Sequence, residues 1–258
     1  MIIQPIDKIE AIDFVQQYHY SKVMPKLTKH YLGIYNVYVT DLIGVITLGW
    51  GTQPLQTIKK LFPDEGFTTK DYLEIGKMCF HPDYNRDRNT GTKTISSLKK
   101  WLKNNTDIKM LYTLADGIVG RIGYVYQASN FLYGGFFWTD VYMGADGEKI
   151  HPRSARNLCK ENAQWLNKDK VFWLTHDFCE YKNIKRIKGK MFRYMLPLDK
   201  KTRKLFIKNN WNMKHPKEND LQWKERYDKG RYETTKKMPK FVLDIVNVNT
   251  KNVNAHRR

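Results

Sequence analysis

The chain has 258 residues, 41% of them hydrophobic and 14% aromatic, enough for a sizeable core and too apolar for an intrinsically disordered chain. Its 45 Lys and Arg outnumber 26 Asp and Glu, a formal net charge of +19, which points to a polyanionic partner because cations that neutralise phosphates release condensed counterions. No long uncharged apolar run is present and no helix with one wholly apolar face is predicted, which argues against a membrane partner.

In chain order, Ile9, Ile12, Phe14 and Val15 recur among polar residues and predict a short helix over 7–18 with Asp7 as its cap. His19-Tyr20-Ser21-Lys22 and Pro25 read as a loop. Tyr31–Val39 and Leu42–Trp50 predict a hairpin turning at Thr40-Asp41, and residues 55–70 read as irregular. Tyr72–Phe80 predicts a strand stopped by His81-Pro82. A polar loop over 85–93 leads into Thr94, Ile95, Leu98, Trp101 and Leu102 at helical spacing. A strand over Met110–Leu114 follows, then a glycine-rich turn, a helix over Tyr124–Leu132 and a strand over Phe136–Met143. Gly144-Ala145-Asp146-Gly147 predicts a hairpin turn, Arg153–Leu166 contains a helix, and Val171–Leu174 and Met191–Leu196 read as late strands. Beyond Lys208, Trp211, Trp223 and Phe241–Val246 hint at order, and Lys251–Arg258 reads as a loose tail.

The most informative segment is Ala115–Phe136. An apolar strand ends in one acid, Asp116, and three glycines spaced by three, Gly117, Gly120 and Gly123, lead into a tyrosine-rich helix. Glycines at a strand end permit positive φ and let the backbone approach a ligand, and loops after strands are where scaffolds usually carry binding groups. Asp116 and Tyr126 are a carboxylate and a phenol suited to proton transfer; equally, Asp116 suits a turn and Tyr126 a core. Arg86–Lys93, at the front of the predicted helix, suits a pyrophosphate held by backbone N–H groups and Arg88, or simply a solvated loop. It lacks the glycine-lysine-serine/threonine spacing of a Walker A loop.

Charge is unevenly spread. Residues 182–258 hold 23 Lys and Arg against 7 Asp and Glu, so 16 of the 19 excess positive charges lie there. Within that stretch Lys185, Arg186, Lys188, Lys190 and Arg193 stand beside Phe192 and Tyr194, a mixture that suits a nucleic-acid groove or a solvated basic surface. Cys79, Cys159 and Cys179 form no CxxC pair, against a disulfide framework and a thiolate zinc site. Met1–Glu10 lacks the apolar region of a signal peptide, so a reducing cytosol is the expected setting. His19, His81, His151 and His176 show no metal-ligand spacing such as HxxxH, and no GxSxG or Cys-His motif supports a nucleophilic hydrolase.

These residues carry a resemblance. The strand, loop and helix over 72–103, the strand ending at Asp116 and the Gln127–Phe136 block look like the acyl-CoA-binding core of the GNAT acetyltransferase superfamily. More narrowly, His19-Tyr20-Ser21, Gly44-Val45-Ile46, Ala115-Asp116-Gly117, Gly123–Ala128, Asn130-Phe131 and Lys190–Tyr194 resemble the phage Mom proteins over roughly residues 15–210. That family modifies adenine in phage DNA, adding a carbamoylmethyl group at the exocyclic N6 that shields the DNA from host restriction enzymes. The resemblance implies an α/β fold with a GNAT-like central mixed, mostly antiparallel sheet flanked by helices. It implies a catalytic core over 1–181 and a basic extension over 182–258 that clamps DNA. By motif match it assigns Asp116 and Tyr126 as the activity-critical acid and tyrosine, and His19 as an N-terminal histidine implicated in iron binding. Arg88, Asn89, Gly91 and Thr92 fall on the pyrophosphate loop, with Lys93 where the superfamily's pattern has a second small residue; Asn130 and Tyr133 fall near the cofactor's sulfur.

The implied cofactor is acetyl-CoA or a related acyl donor, with iron as a further candidate. The implied partner is double-stranded or locally opened DNA, and the implied setting is the bacterial host cytoplasm. Two rival readings remain: a non-catalytic DNA-binding protein on a GNAT-like fold, and a conventional GNAT N-acetyltransferase.

Overall fold

The computed structural model describes residues 1–37, 41–61, 66–85, 89–150 and 155–242. The fold is α/β, with a mixed, mostly antiparallel strand arrangement flanked by helices, as expected. The described residues form two compact units, one comprising Met1–Thr113 and Leu196–Leu205, the other residues 114–195 and 206–242. The sequence boundary expected after residue 181 falls inside the second unit, and residues 182–242 contribute to both.

In the first unit, β1 (Ile2–Pro5), β2 (Thr28–Tyr35), β3 (Leu42–Gly49) and β4 (Tyr72–Phe80) pair antiparallel in that order. The predicted hairpin is β2–β3, and β3 reads as an unbroken apolar run because its side chains from Ile43 to Leu48 are all buried. Helix α1 (Lys8–Tyr18) starts where Asp7 accepts a hydrogen bond from the Ile9 N–H at 2.6 Å. Its Ala11, Phe14 and Val15 face Val45 and Cys79, so the helical period seen in the sequence marks the buried stripe. Residues 54–61, read as irregular, form helix α2 (Pro54–Leu61), with no residue buried. Proline at its first position is preset for a helix start. After β4 come α3 (Pro82–Asn85) and α4 (Thr90–Asn105), and the chain then enters β5 (Met110–Asp116). β5 pairs parallel with β4 over Tyr72–Glu74 against Met110–Tyr112, the crossover arrangement that parallel neighbours require.

In the second unit a single 3-10 turn over Gly117–Val119 leads to α5 (Tyr124–Ala128), β6 (Leu132–Met143) and β7 (Lys149–Ile150). The helix expected over 124–132 stops early because Asn130 adopts φ 61°, a left-handed conformation that ends a helix. The predicted turn at 144–147 joins β6 to β7, with the Gly147 N–H donating to the Gly144 carbonyl at 3.0 Å. Helices α6 (Arg156–Trp165) and α7 (His176–Tyr181) follow, then β8 (Lys185–Pro197), α8 (Lys200–Lys208), β9 (Trp223–Asp228) and β10 (Arg231–Thr235). β8 pairs antiparallel with both β6 and β9, and β9 with β10.

Val171–Leu174 is not a strand. Leu174 is fully buried with Tyr142, Phe178 and Ile184, while Phe172 and Trp173 are 73% and 61% exposed. The Asn162 amide donates to the Trp173 carbonyl and its oxygen accepts from the Thr175 hydroxyl. Side-chain bonds thus hold the segment as a loop where apolar content suggested a ladder. Among the described residues no helix is long and apolar enough to cross a membrane.

Candidate active site

Asp116 sits at the last position of β5 and caps the turn that follows. Its Oδ1 accepts from the Ile118 N–H at 3.1 Å, and its Oδ2 receives the Lys149 ammonium of β7 at 2.8 Å. The pair is mostly withdrawn from water, with the Asp116 side chain 13% and the Lys149 side chain 16% exposed. Charge-assisted bonds of this kind are short and orienting, so the carboxylate has one defined direction. Lys149 carries no motif signal in the sequence; its role follows from the β6–β7 register across the Gly144–Gly147 turn, where Met143 faces Lys149.

The glycines beside Asp116 have a packing cause. A Cβ on Gly117 would lie 2.4 Å from the Lys190 carbonyl oxygen and 2.7 Å from the Phe192 ring, and one on Gly123, at φ 85°, would lie 2.7 Å from the Tyr194 ring. At both positions the close approach is to β8, so the space read in the sequence as room for a ligand is taken up by the protein's own strand.

Tyr126 lies on α5 with its ring 5.2 Å from Phe131 and 5.5 Å from Tyr194. Tyr133, at the start of β6, packs 5.4 Å from the same Tyr194, so the structure brings these two predicted site residues together around a third tyrosine. Tyr194 is fully buried; its hydroxyl donates to the Ile122 carbonyl and accepts from the Gln127 amide at 3.1 Å. Gln127 Nε2 is also within 3.1 Å of the carbonyls of Ile122 and Pro216. His215 adds a fifth ring, 6.2 Å from Tyr194 and 6.5 Å from Tyr133, with its Nε2 3.1 Å from the Phe131 carbonyl. Burial pushes the Tyr133 hydroxyl up to about 12 and the Tyr194 hydroxyl upward as well, because ionisation in a poorly solvated place is costly. Asn130, exposed and left-handed, sits at the turn between α5 and β6.

The predicted basic residues of β8 divide between its two faces, as alternation along a strand dictates. Arg186, Lys188 and Lys190 lie on one face, Lys185 and Arg193 on the other. Arg186 Nε is 2.9 Å from Asp140, and Lys185 is 2.7 Å from Glu225. Lys190 is nearly buried and donates to the Asp220 carbonyl at 2.7 Å. Desolvation, then repulsion from Lys224, lowers its pKa, while Asp220 opposes the shift. Arg193 reaches the Phe136 carbonyl at 3.5 Å, and its buried Nε has no hydrogen-bond partner.

Within the first unit, Asn89 is left-handed at φ 69° and makes no side-chain cap on α4. Thr92 donates its hydroxyl to the Asn89 carbonyl at 3.0 Å. The first-turn N–H groups at Thr90, Gly91 and Thr92 therefore receive no cap from the Asn89 side chain, an arrangement that suits phosphate oxygens. Arg88 and His151 lie outside the described residues. His19 follows α1, stacks on Tyr20 at 4.5 Å and accepts the Ser21 N–H at Nδ1 at 2.9 Å. Lys77, almost buried, donates to the Ser21 carbonyl at 2.6 Å and its hydroxyl at 3.0 Å. His81 lies 3.5 Å from Asp83, and His176 lies 3.4 Å from Glu180. Among the described residues no group of three or more His, Cys, Asp or Glu side chains comes together to hold a metal ion.

The family model described as the Mom protein family matches residues 1–217. The chain belongs to the Mom protein family. A family relative, the methylcarbamoylase mom of Escherichia phage Mu, is 28% identical over 195 residues, covering 71% of this chain and 77% of that protein. Among solved structures, a tandem GNAT protein from the clavulanic acid biosynthesis pathway is 9% identical, with a TM-score of 0.32. The match takes in 78% of this chain and 59% of that one, a likeness too slight to argue from. Membership in the Mom family makes this chain a relative of a transferase, and it brings Asp116, Tyr126 and the β8 cations within one family region.

Proposed function

We propose that this member of the Mom family is a DNA base-modifying transferase that adds a carbamoylmethyl group at the exocyclic N6 of adenine and so protects phage DNA from host restriction. The observation that carries this reading is the family match over 1–217, which spans every candidate site residue. The oriented Asp116 carboxylate supports it. The N6 amine is a poor nucleophile because its lone pair is delocalised into the purine, so a carboxylate that takes the amine proton as the new N–C bond forms addresses the difficult part of the reaction. Lys149 then holds the carboxylate in place, and Tyr126 gives the phenol proton to the leaving group.

The donor is proposed to be a carrier related to the acyl-CoAs that already bears the carbamoylmethyl unit through its methylene carbon, so that the N6–carbon bond would form as the carbon–carrier bond breaks and the departing carrier atom would take the proton; acetyl-CoA itself would deliver only an acetyl group. Asn130 and Tyr133, in the second unit, would flank its reactive end. The net charge of +19 supports DNA as the macromolecular partner. Nucleosides from the DNA of cells expressing the protein should contain an adenosine heavier by one carbamoylmethyl group, absent when Asp116→Ala is expressed at equal level. An unmodified adenosine pool with folded protein would sink the reading.

One observation favours a second reading, a DNA-binding protein without chemistry: both Asp116 carboxylate oxygens already make bonds inside the protein. DNA binding that survives Asp116→Ala, with no product from either protein, would establish it.

A further inference from the structure

The β6, β8, β9 and β10 strands alternate cations with aromatic rings on one face. Trp138 lies opposite Lys190; Asp140 lies opposite Lys188, which in turn faces Lys224; and Tyr232 lies opposite Arg226. Directly opposed residues point to the same side of a sheet. The other side of these strands carries Val141, Ile187 and Trp223, packed against Ile118 as core, so the ring-and-cation face is turned away from that core.

Phe192 and Tyr142, on the same face at either end, are buried, whereas Phe136 and Trp138 between them keep access to water. Phe136 remains 39% exposed although Lys190 lies 4.5 Å over its ring. Lys224 lies 4.5 Å over Trp138, and Lys188 lies 4.1 Å over Tyr232. The charge is predominantly positive: Arg186, Lys188, Lys190 and Lys224 stand against Asp140, which Arg186 already neutralises, and Asp220, which acts on Lys190. Partly exposed rings cost free energy in water unless a ligand covers them, and the surrounding cations select an anionic ligand.

A duplex presents phosphates and base edges, which cations can meet without any ring. Base faces become available only where the strand is unpaired, and there aromatic side chains stack on them while cations follow the backbone. We propose that this face holds an unpaired stretch of nucleic-acid strand, with bases against Phe136 and Trp138 and phosphates against Lys188 and Lys224. The inference rests on the reading above, and deepens it by naming the form of the partner. An enzyme that reacts at a base's exocyclic amine must take that base out of the stack, and a platform for the opened strand keeps the site loaded.

Fluorescence anisotropy with labelled oligothymidylate, which has no adenine and therefore reports binding without chemistry, tests this on the full chain. Oligothymidylate should bind more tightly than a hairpin duplex at equal salt. Trp138→Ala should weaken it about tenfold, equivalent to about 1.4 kcal/mol, as loss of one stacking contact does. Duplex binding should change little, and Trp138→Phe should restore most of the affinity. Lys224→Ala should reduce the salt dependence by about one phosphate contact. The proposal is overturned if Trp138→Ala and Phe136→Ala, with native circular dichroism, bind oligothymidylate like the parent. It is equally overturned if polyglutamate displaces the oligonucleotide as readily from the parent as from Trp138→Ala, since the face would then recognise charge alone. Modified adenosine alongside unaffected ring variants removes this inference only. Ring effects without modified adenosine remove the proposed chemistry and leave the platform standing.

Discussion

Lys149 holds Asp116 at 2.8 Å across the second unit, and neither side chain has more than a sixth of its surface in water. The acid that ends β5 is thus oriented from two directions, by a backbone N–H two residues ahead and by an ammonium from a two-residue strand. A carboxylate in that position has little freedom to turn.

Replacing Lys149 by Met should therefore cost both stability and modification. Removing one partner of a largely buried pair leaves the other charge uncompensated, and with some water access remaining the loss should be about 1–3 kcal/mol in urea unfolding. Asp116→Asn combined with Lys149→Met should recover much of that stability while leaving adenosine unmodified. If the double variant regains modification, Asp116 acts only as a turn former.

The Tyr194 hydroxyl links the Ile122 carbonyl to the Gln127 amide beneath α5. Tyr194→Phe should lower the unfolding free energy by about 1–2 kcal/mol, the usual result of removing a buried hydrogen-bonding group. Gly123→Ala should cost more, about 2–3 kcal/mol, because the new Cβ meets the Tyr194 ring at 2.7 Å and the backbone is held at φ 85°. Equal unfolding midpoints for Gly123→Ala and the parent would show that α5 is free to move off β8.

How much of this was legible in the chain depended on how local the cause was. Helix α1, the β2–β3 hairpin, β4 and α4 were readable because their apolar periods are complete within the segment. Helix α2 was not: Leu55, Ile58 and Leu61 are helically spaced, but none is buried, so the pattern competed with nearby turn signals. β9 and β10 carry Trp223 as their single buried residue, too little alternation to mark a strand. Asp116 stood out as the acid at a strand end, whereas Lys149 is one lysine among many until β7 folds back along β6. The even run of cations in β8 concealed that a strand deals them to opposite faces.

Alkaline pH should destabilise the fold through the buried tyrosines. The Tyr133 hydroxyl is raised from 10 to about 12 by burial, so the neutral phenol is favoured in the folded state. Its contribution is complete below about pH 10 and is lost as pH rises toward 12, because the unfolded chain releases the proton first. Unfolding free energies at pH 9 and pH 11 should differ less for Tyr133→Phe than for the parent, by of order 1–2 kcal/mol. Tyr72, likewise raised to about 12, leaves part of the alkaline loss in place. An unchanged difference would mean that Tyr133 ionises freely.

The loop after α6 separates anchoring from display within three consecutive residues. Leu174 has no exposed surface and packs with Tyr142, Phe178 and Ile184, whereas Phe172 and Trp173 project into solvent. Leu174→Ala should cost about 2–5 kcal/mol, as deletion of a fully buried leucine does. Phe172→Ser and Trp173→Ser should each stay within about 0.5 kcal/mol of the parent, since little burial is lost. Thermal unfolding of the three variants checks the contrast directly: if Trp173→Ser proves as damaging as Leu174→Ala, the ring is buried in solution and the bonds from Asn162 hold a packed segment in place of a displayed one.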